Sequence, residues 1–526
     1  MSTDARHLSQ LLDDAATRRP ESVAVEDEHG RSLTYAQLAQ VADRVSARLA
    51  RWGVDRGDRV GLMLPKSPEA VAAIHGILRT GAAYVPVDPA APPLRSAGIF
   101  VDCGVRAVVV SAALAPALRQ AWPGPGPLPR LVVVGEEPGA SGPGDASWDD
   151  ILADDAPSPF LPSRHADDLA YILPTSGSTG RPKGVMLSHA NAFCFLDWCD
   201  HAFDLRDDDR FSSHAPFHFD LSIFDLFASC RRGGTLVLIG EATGRDPSRV
   251  GVFLRKARID VWYSAPSILS LLTDHGDIDV PAPRLVLFAG EVFPIRPLKS
   301  LRTAWPGAAM WNLYGPTETN VCTAFPIPAT IPEDRDEPYP IGRVCPPLSA
   351  RVIDEDGRDV PPGTIGELLI SGPGVMRGYF ARQNLTVQAF VVDDLGARWY
   401  RTGDLVEDDG TGVYLFRGRR DRMVKKRGFR IELGEIESAL YRHEDVATAA
   451  VVARSGDDGV AISAFVAMKP GRKGSIIAMK RHCTLYLPHY MIPDRVAFVP
   501  DLPRTSTDKV DYAGLSRISG RGEGDG

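Results

Sequence analysis

The strongest constraint in this sequence is an alternation. Short, strand-like apolar runs recur at Arg59–Pro65 (RVGLMLP), Val105–Val110 (VRAVVV), Thr235–Ile239 (TLVLI) and Leu285–Ala289 (LVLFA). Between the first two lies Glu69–Thr80 (EAVAAIHGILRT), whose apolar spacing suits an amphipathic helix. Strands that alternate with helices build parallel sheets covered by helices on both faces, which is an α/β architecture. At 526 residues the chain exceeds what one core organises, so two or more domains are expected.

The Pro/Gly-rich stretch Ala121–Pro143 reads as surface loop rather than domain linker. After about Leu415 the character changes: GRRDRMVKKRGFR is dense in basic residues and poor in core formers. A helix over Glu435–Arg442 and a hairpin-like pair, Ala447–Ala453 and Val460–Met468, follow. The expected division is a large N-terminal domain over 1–420, a small α+β domain over 421–515, and a disordered tail over 516–526 ending in GRGEGDG.

A formal net charge of −8 argues against broad nucleic-acid or anionic-membrane binding. The seven cysteines are scattered without a C-x-x-C pair, so neither a disulfide framework nor a zinc site is expected. A polar N-terminus and the lack of a long apolar run point to a cytoplasmic protein.

The most informative segment is Leu169–Val185, LAYILPTSGSTGRPKGV, where an apolar strand runs into a loop of hydroxyls and glycines. Such a loop turns backbone N–H groups toward a phosphate chain; Thr175, Ser176, Ser178 and Thr179 add donors, and Gly177 and Gly180 the freedom to turn. Lys183 supplies positive charge. The bland alternative is a plain surface turn. This is not the P-loop NTPase signature, because Lys183 precedes Gly184 and no G-K-[ST] follows. That points away from γ-phosphate hydrolysis.

The chain resembles the adenylate-forming superfamily, which includes acyl-CoA synthetases, luciferases and nonribosomal peptide synthetase adenylation domains. The likeness covers nearly the whole chain, in order. LTYAQL (Leu33–Leu38), LRTGAAYVPVDP (Leu78–Pro89), the glycine-rich loop, NLYGPTE (Asn312–Glu318) and GELLISG (Gly366–Gly372) are followed by YRTGDL (Tyr400–Leu405), the segment Gly418–Glu437, LPHYMIP (Leu487–Pro493) and LPRTSTDK (Leu502–Lys509). The resemblance implies the adenylate-forming fold with a mobile C-terminal domain, and ATP and Mg²⁺ as cofactors.

It also implies roles at the matching positions. Tyr314 stacks on adenine, Asn312 bonds the base edge, and Gly290 belongs to the same nucleotide group. Thr317 and Glu318 lie beside the phosphates, Glu318 as a Mg²⁺ contact. Asp404 accepts the ribose hydroxyls with Arg419 nearby, unless that pair serves only the fold. Lys509 bridges the substrate carboxylate and α-phosphate as negative charge builds there. The family usually has glycine before this lysine; here it is Asp508.

Amino-acid-activating members carry an aspartate after an aromatic residue, and Phe219–Ser222 (FDLS) supplies Asp220. Asp220 would pair with the substrate ammonium; the alternative is a helix N-cap. The family's specificity positions fall on Asp220, Leu221, Phe224, Tyr263, Leu287, Ala289, Leu313, Val321, Cys322 and Lys509. Between the two charges these are apolar apart from the Tyr263 hydroxyl, so charged and amide side chains are rejected by desolvation. The string resembles that of proline-activating enzymes, with Phe224 where leucine is usual. Proline is the expected substrate; pipecolate, a substituted proline, alanine or a β-amino acid are alternatives.

No phosphopantetheine-serine or condensation motif is found, so a peptidyl or acyl carrier protein is expected in trans. In this family the C-terminal domain rotates about a hinge between half-reactions; Asp421 matches the hinge and Gly428 the carrier-arm tunnel. The basic run Arg417–Arg430 reads equally as solvated loop or carrier-facing surface. Acyl-CoA ligase and non-catalytic carrier-docking protein are the rival readings from other classes.

Overall fold

A computed structural model describes residues 6–519 apart from 125, 155–163, 178–180, 276–277, 457–458 and 505–509. The alternation becomes two large sheets. One has eight strands in the order Gly378–Tyr379, Lys183–Ser188, Leu169–Thr175, Ala83–Pro86, Arg59–Met63, Ala107–Ser111, Arg130–Val134, Ala146–Ser147. Its strands from Leu169–Thr175 to the far edge are parallel, as expected for runs buried on both faces. The helix read over Glu69–Thr80 is Pro68–Arg79, started by Ser67, whose hydroxyl accepts from the Ala70 N–H at 3.2 Å.

One expectation fails here. Ala121–Pro143 is not all loop: Arg130–Val134 (RLVVV) is a strand paired parallel to Ala107–Ser111, with Leu131, Val132 and Val133 buried. Prolines and glycines on both sides masked a five-residue β-branched run that was long enough to enter a sheet.

The second sheet has nine strands, among them Arg210–Ser213, Val261–Ser264, Leu285–Ala289 and Ala309–Tyr314 side by side and parallel. The carboxyl ends of such strands are where α/β sheets hold ligands. A third, antiparallel sheet of five strands sets Arg398–Asp408 against Tyr414–Arg419, with Asp404 directly opposite Arg419.

The C-terminal portion has its own core around Ile431, Ile436, Leu440, Val451, Ile462 and Val466. It holds the helix Leu433–Tyr441 and the strands Val446–Gly456 and Gly459–Met468, close to their expected bounds. Its first hairpin, Met423–Lys426 with Phe429–Glu432, pairs Lys426 with Phe429, leaving Arg427 and Gly428 as a two-residue turn. Both have positive φ, 53° and 79°, the geometry that matches strand twist and favours glycine at the second position. The GRGEGDG tail lies outside the described residues. Among the described residues, no helix is long and apolar enough to cross a membrane.

At the N-terminus the His7 ring lies 3.5 Å, centroid to centroid, from that of His189, and the Leu8 N–H donates to His189 Nδ1 at 3.1 Å. Burial holds His7 down to about 3 and His189 well below the ordinary imidazole range, with Arg164 opposing protonation of both; Asp13 and Asp168 favour it at His7. Both rings are neutral when folded and free to take a proton when unfolded. Unfolding therefore binds protons, and stability falls as pH drops from about 6.5 toward the folded values. Melting temperature should decline between pH 7.5 and pH 5, and His7→Asn should flatten the slope. A slope unchanged in the variant would show that His7 does not contribute.

Candidate functional site

The glycine-rich loop leaves the strand Leu169–Thr175 and returns as Lys183–Ser188, with Thr175 opposite Lys183. Ser176 is buried; its hydroxyl donates to the Arg430 carbonyl at 3.0 Å and accepts from the Glu432 N–H at 3.3 Å. A Cβ on Gly177 would stand 2.1 Å from the Arg181 carbonyl oxygen, so the loop closes only with glycine there. Ser178, Thr179 and Gly180 lie outside the described residues, as does Lys509.

Lys183 points to a buried carboxylate. Its Nζ donates to the Tyr379 hydroxyl at 3.2 Å and stands 3.6 Å from Glu318 Oε1. Tyr379 donates to Glu318 Oε1 at 2.8 Å, and Arg430 Nη1 donates to Glu318 Oε2 at 2.6 Å. Glu318 is 0% exposed. Burial alone would raise its pKa, but Arg430, Lys183 and the Tyr379 hydrogen bond outweigh that and hold it well below the usual range. Burial, followed by the nearby Arg430, lowers Lys183.

Tyr314 and Asp404 meet beside this cluster. The Tyr314 hydroxyl donates to Asp404 Oδ2 at 2.5 Å, and Arg419 Nη1 donates to Oδ1 at 2.5 Å. Arg419 also donates from Nε and Nη2 to both oxygens of Asp421, at 2.7 and 2.8 Å. The Asn312 amide donates to the Pro340 carbonyl at 2.8 Å. Gly290 faces Gly428: a Cβ on Gly290 would sit 3.9 Å from the Gly428 Cα. The Gly428 N–H donates to Glu291 Oε1 at 2.7 Å.

Thr175, Ser176, Gly290, Arg419, Gly428 and Arg430 border a cleft of about 910 Å³ that opens to solvent, while Lys183, Asn312, Tyr314, Glu318 and Asp404 do not line it. Asp220, Leu221, Tyr263, Ala289, Thr317 and Val321 line it. Phe224, Leu287, Leu313 and Cys322 do not; they are buried behind the wall, Phe224 packing edge-on against Tyr263 at 5.7 Å. Asp220 occupies the N-cap position of the helix Leu221–Arg232 but has helical backbone angles and makes no side-chain cap. The N-cap alternative therefore fails. Burial raises the Asp220 pKa, while Thr317 and Lys425 pull it back.

The cleft is more polar than the sequence reading allowed, since Lys425, Asn320, His218 and Arg95 also line it. The basic run is neither simply solvated nor simply outward: Lys425 lines the cleft and Arg430 reaches Glu318. The hairpin alternation was the available signal, because Lys425 and Arg430 lie opposite each other across it. Among the described residues no cluster of three or more His, Cys, Asp or Glu has the arrangement to hold a metal.

Residues 12–380 match the AMP-binding enzyme family, and residues 435–509 match its C-terminal domain. This chain belongs to the AMP-binding enzyme family. It is 38% identical over 513 residues to an L-proline–[L-prolyl-carrier protein] ligase of Pseudomonas fluorescens, covering 97% of this chain and 99% of that one. A ligase of the same name from Streptomyces coelicolor is 38% identical over 497 residues, 92% of this chain and 91% of its own length. The adenylation domain AlmE of Vibrio cholerae, solved with glycyl-adenosine-5′-phosphate, superposes with a TM-score of 0.83 at 24% identity, covering 97% of each chain. The expected family and its adenylate-forming fold are both borne out.

Gly177→Ala tests the loop. Relieving the contact with Arg181 costs about 1–3 kcal/mol of strain, roughly five- to 150-fold in ATP affinity. The KM for ATP in pyrophosphate exchange should rise by that factor while the KM for the amino acid holds. An unchanged KM for ATP would remove the loop from nucleotide binding.

Proposed function

We propose that this enzyme adenylates L-proline with ATP and then passes the prolyl group to the phosphopantetheine thiol of a separate carrier protein. The observation that carries the reading is Asp220, an acid in the cleft wall that caps no helix and stands among Leu221, Tyr263, Ala289 and Val321. A small, mostly apolar side chain with a cationic amine matches that wall, and the full-length likeness to two L-proline ligases favours proline. An acyl-CoA ligase has no use for the acid.

In the first half-reaction the proline carboxylate attacks the ATP α-phosphorus and pyrophosphate leaves. Thr175, Ser176, Lys183 and Thr317 receive the phosphates, Tyr314 the adenine, and Asp404 with Arg419 the ribose. Lys509 neutralises the charge that builds between carboxylate and phosphate. Glu318 would be the carboxylate to hold Mg²⁺, which when bound would neutralise charge on the phosphates. Both Glu318 oxygens are engaged by Tyr379 and Arg430, so Arg430 must first withdraw. Arg430 belongs to the C-terminal portion, which ties metal access to the position of that portion.

We place the domain boundary at 420/421 and the hinge at Asp421, which Arg419 holds beside the Asp404 ribose site. Gly428 lies against Gly290 and Arg430 on Glu318, and we read this arrangement as the one for thioester formation. A cytoplasmic setting, with its ATP supply, completes the proposal.

Removing the acid in Asp220→Ala leaves the substrate ammonium unpaired, at about 3–5 kcal/mol for a buried pair. Proline-dependent pyrophosphate exchange should fall roughly 10²- to 10³-fold or more, with the KM for ATP little changed. A small effect would place the ammonium elsewhere. Lys509→Ala should abolish adenylation yet still transfer from supplied prolyl adenylate; equal loss in both assays would assign Lys509 a structural role.

A further inference from the structure

We propose that Lys66 is a positioning residue for the amino-acid substrate: its ammonium grips the end of the strand Arg210–Ser213 and thereby sets where Asp220 stands in the cleft. The proposal rests on the reading above that Asp220 receives the substrate ammonium.

Lys66 Nζ donates to the Ser213 carbonyl at 2.6 Å and to the His214 carbonyl at 2.7 Å. Ser213 ends that strand, and His214 begins the loop that leads to the helix Leu221–Arg232. Hydrogen bonds from a charged donor are roughly twice as strong as neutral ones. Two of them on successive carbonyls fix both where the chain leaves the sheet and in which direction. His218, Phe219 and Asp220 follow on that loop, and all three line the cleft.

The strand needs such a grip because one of its neighbours lets go there. Against Val261–Ser264 it is paired only at Phe211 with Val261, and the Tyr263 N–H goes to the Ser212 hydroxyl at 3.2 Å. Against Thr235–Leu238 the pairing runs on to Ser213, and the Ile239 N–H donates to the Ser213 carbonyl at 3.2 Å. The sheet therefore opens on the side of Tyr263, which borders the cleft with Asp220. That opening leaves the start of the loop with no ladder to hold it on that side.

The anchor itself is well fixed. Lys66 lies between the strand Arg59–Met63 and the helix Pro68–Arg79, whose N-cap is the next residue, Ser67. Its backbone is thus set by the eight-stranded sheet while its ammonium holds the nine-stranded one. Lysine is seldom withdrawn from water, so a lysine committed to two main-chain carbonyls marks a place that must be held. Placement matters because the Asp220 carboxylate and the substrate amine have to meet at hydrogen-bond distance, and a misplacement of about 1 Å can cost roughly 100-fold.

Lys66→Met keeps the stem and removes the donors; Lys66→Arg retains cationic donors for both carbonyls. Affinity is measured for prolyl sulfamoyl adenosine and for its cyclopentanecarbonyl analogue, which has the same ring without the amine. Lys66→Met should bind the first about ten- to 100-fold more weakly and the second as the wild type does, with the KM for ATP unchanged. Lys66→Arg should regain most of the lost affinity. Should Lys66→Met not fold, Lys66→Gln, neutral and shorter, stands in for it under the same expectation. Equal weakening of both ligands would make Lys66 a general support of the fold, and no weakening of either would show that its grip does not set Asp220; either result overturns the proposal. A wild type that binds the two ligands alike would overturn the Asp220 reading first, and this proposal with it, before any variant is compared.

Discussion

A carboxylate without access to water must find cations, and Glu318 has two. Lys183 comes from the strand after the glycine-rich loop and Arg430 from the C-terminal hairpin, with Tyr379 donating between them. Leaving a buried charge unpaired costs about 3–5 kcal/mol, so these separate segments cannot part without a penalty. The glycine-rich loop, the acid and the C-terminal portion are therefore one electrostatic unit. Moving any of them requires a replacement partner for Glu318.

That requirement links structure to the proposed cycle. Arg430 on Glu318 and the Ser176 hydroxyl between Arg430 and Glu432 hold the C-terminal hairpin over the glycine-rich loop. A second tie joins Arg95 of the large domain to the buried Glu435. Ligands with a stronger claim on Glu318 and the loop, a metal and phosphates, can release the first tie. Asp421 shares Arg419 with Asp404, so a ribose at the proposed Asp404 site would act on Asp421 through that arginine.

Much of this was legible in the sequence because local rules and global fold agree. Leu285–Ala289 and Pro68–Arg79 are a buried strand and an apolar helix in isolation as well as in place. Glycine at 428 could be read as a loop residue, but its position in a two-residue turn against Gly290 depends on pairing that only tertiary structure reveals. Phe224, Leu287, Leu313 and Cys322 matched the specificity pattern, and the structure sets them in the second layer, where they support Tyr263 and its neighbours rather than border the cleft. Lys425, Arg430 and Asn320 went unread for the opposite reason. Charged and amide residues are usually solvated, and nothing in the local sequence says that docking of two domains buries these. Arg130–Val134 was lost to averaging over its flanks.

The central claim is that one cleft selects proline and delivers it to a carrier. It is tested most directly by incubating the enzyme, ATP and a separate phosphopantetheinylated carrier with an equimolar mixture of the common amino acids plus pipecolate, and reading the acyl group on the carrier by intact-mass spectrometry. The account predicts a prolyl thioester as the dominant product. A carrier loaded chiefly with alanine or another amino acid, or left unloaded while coenzyme A becomes acylated by a fatty acid, would contradict it.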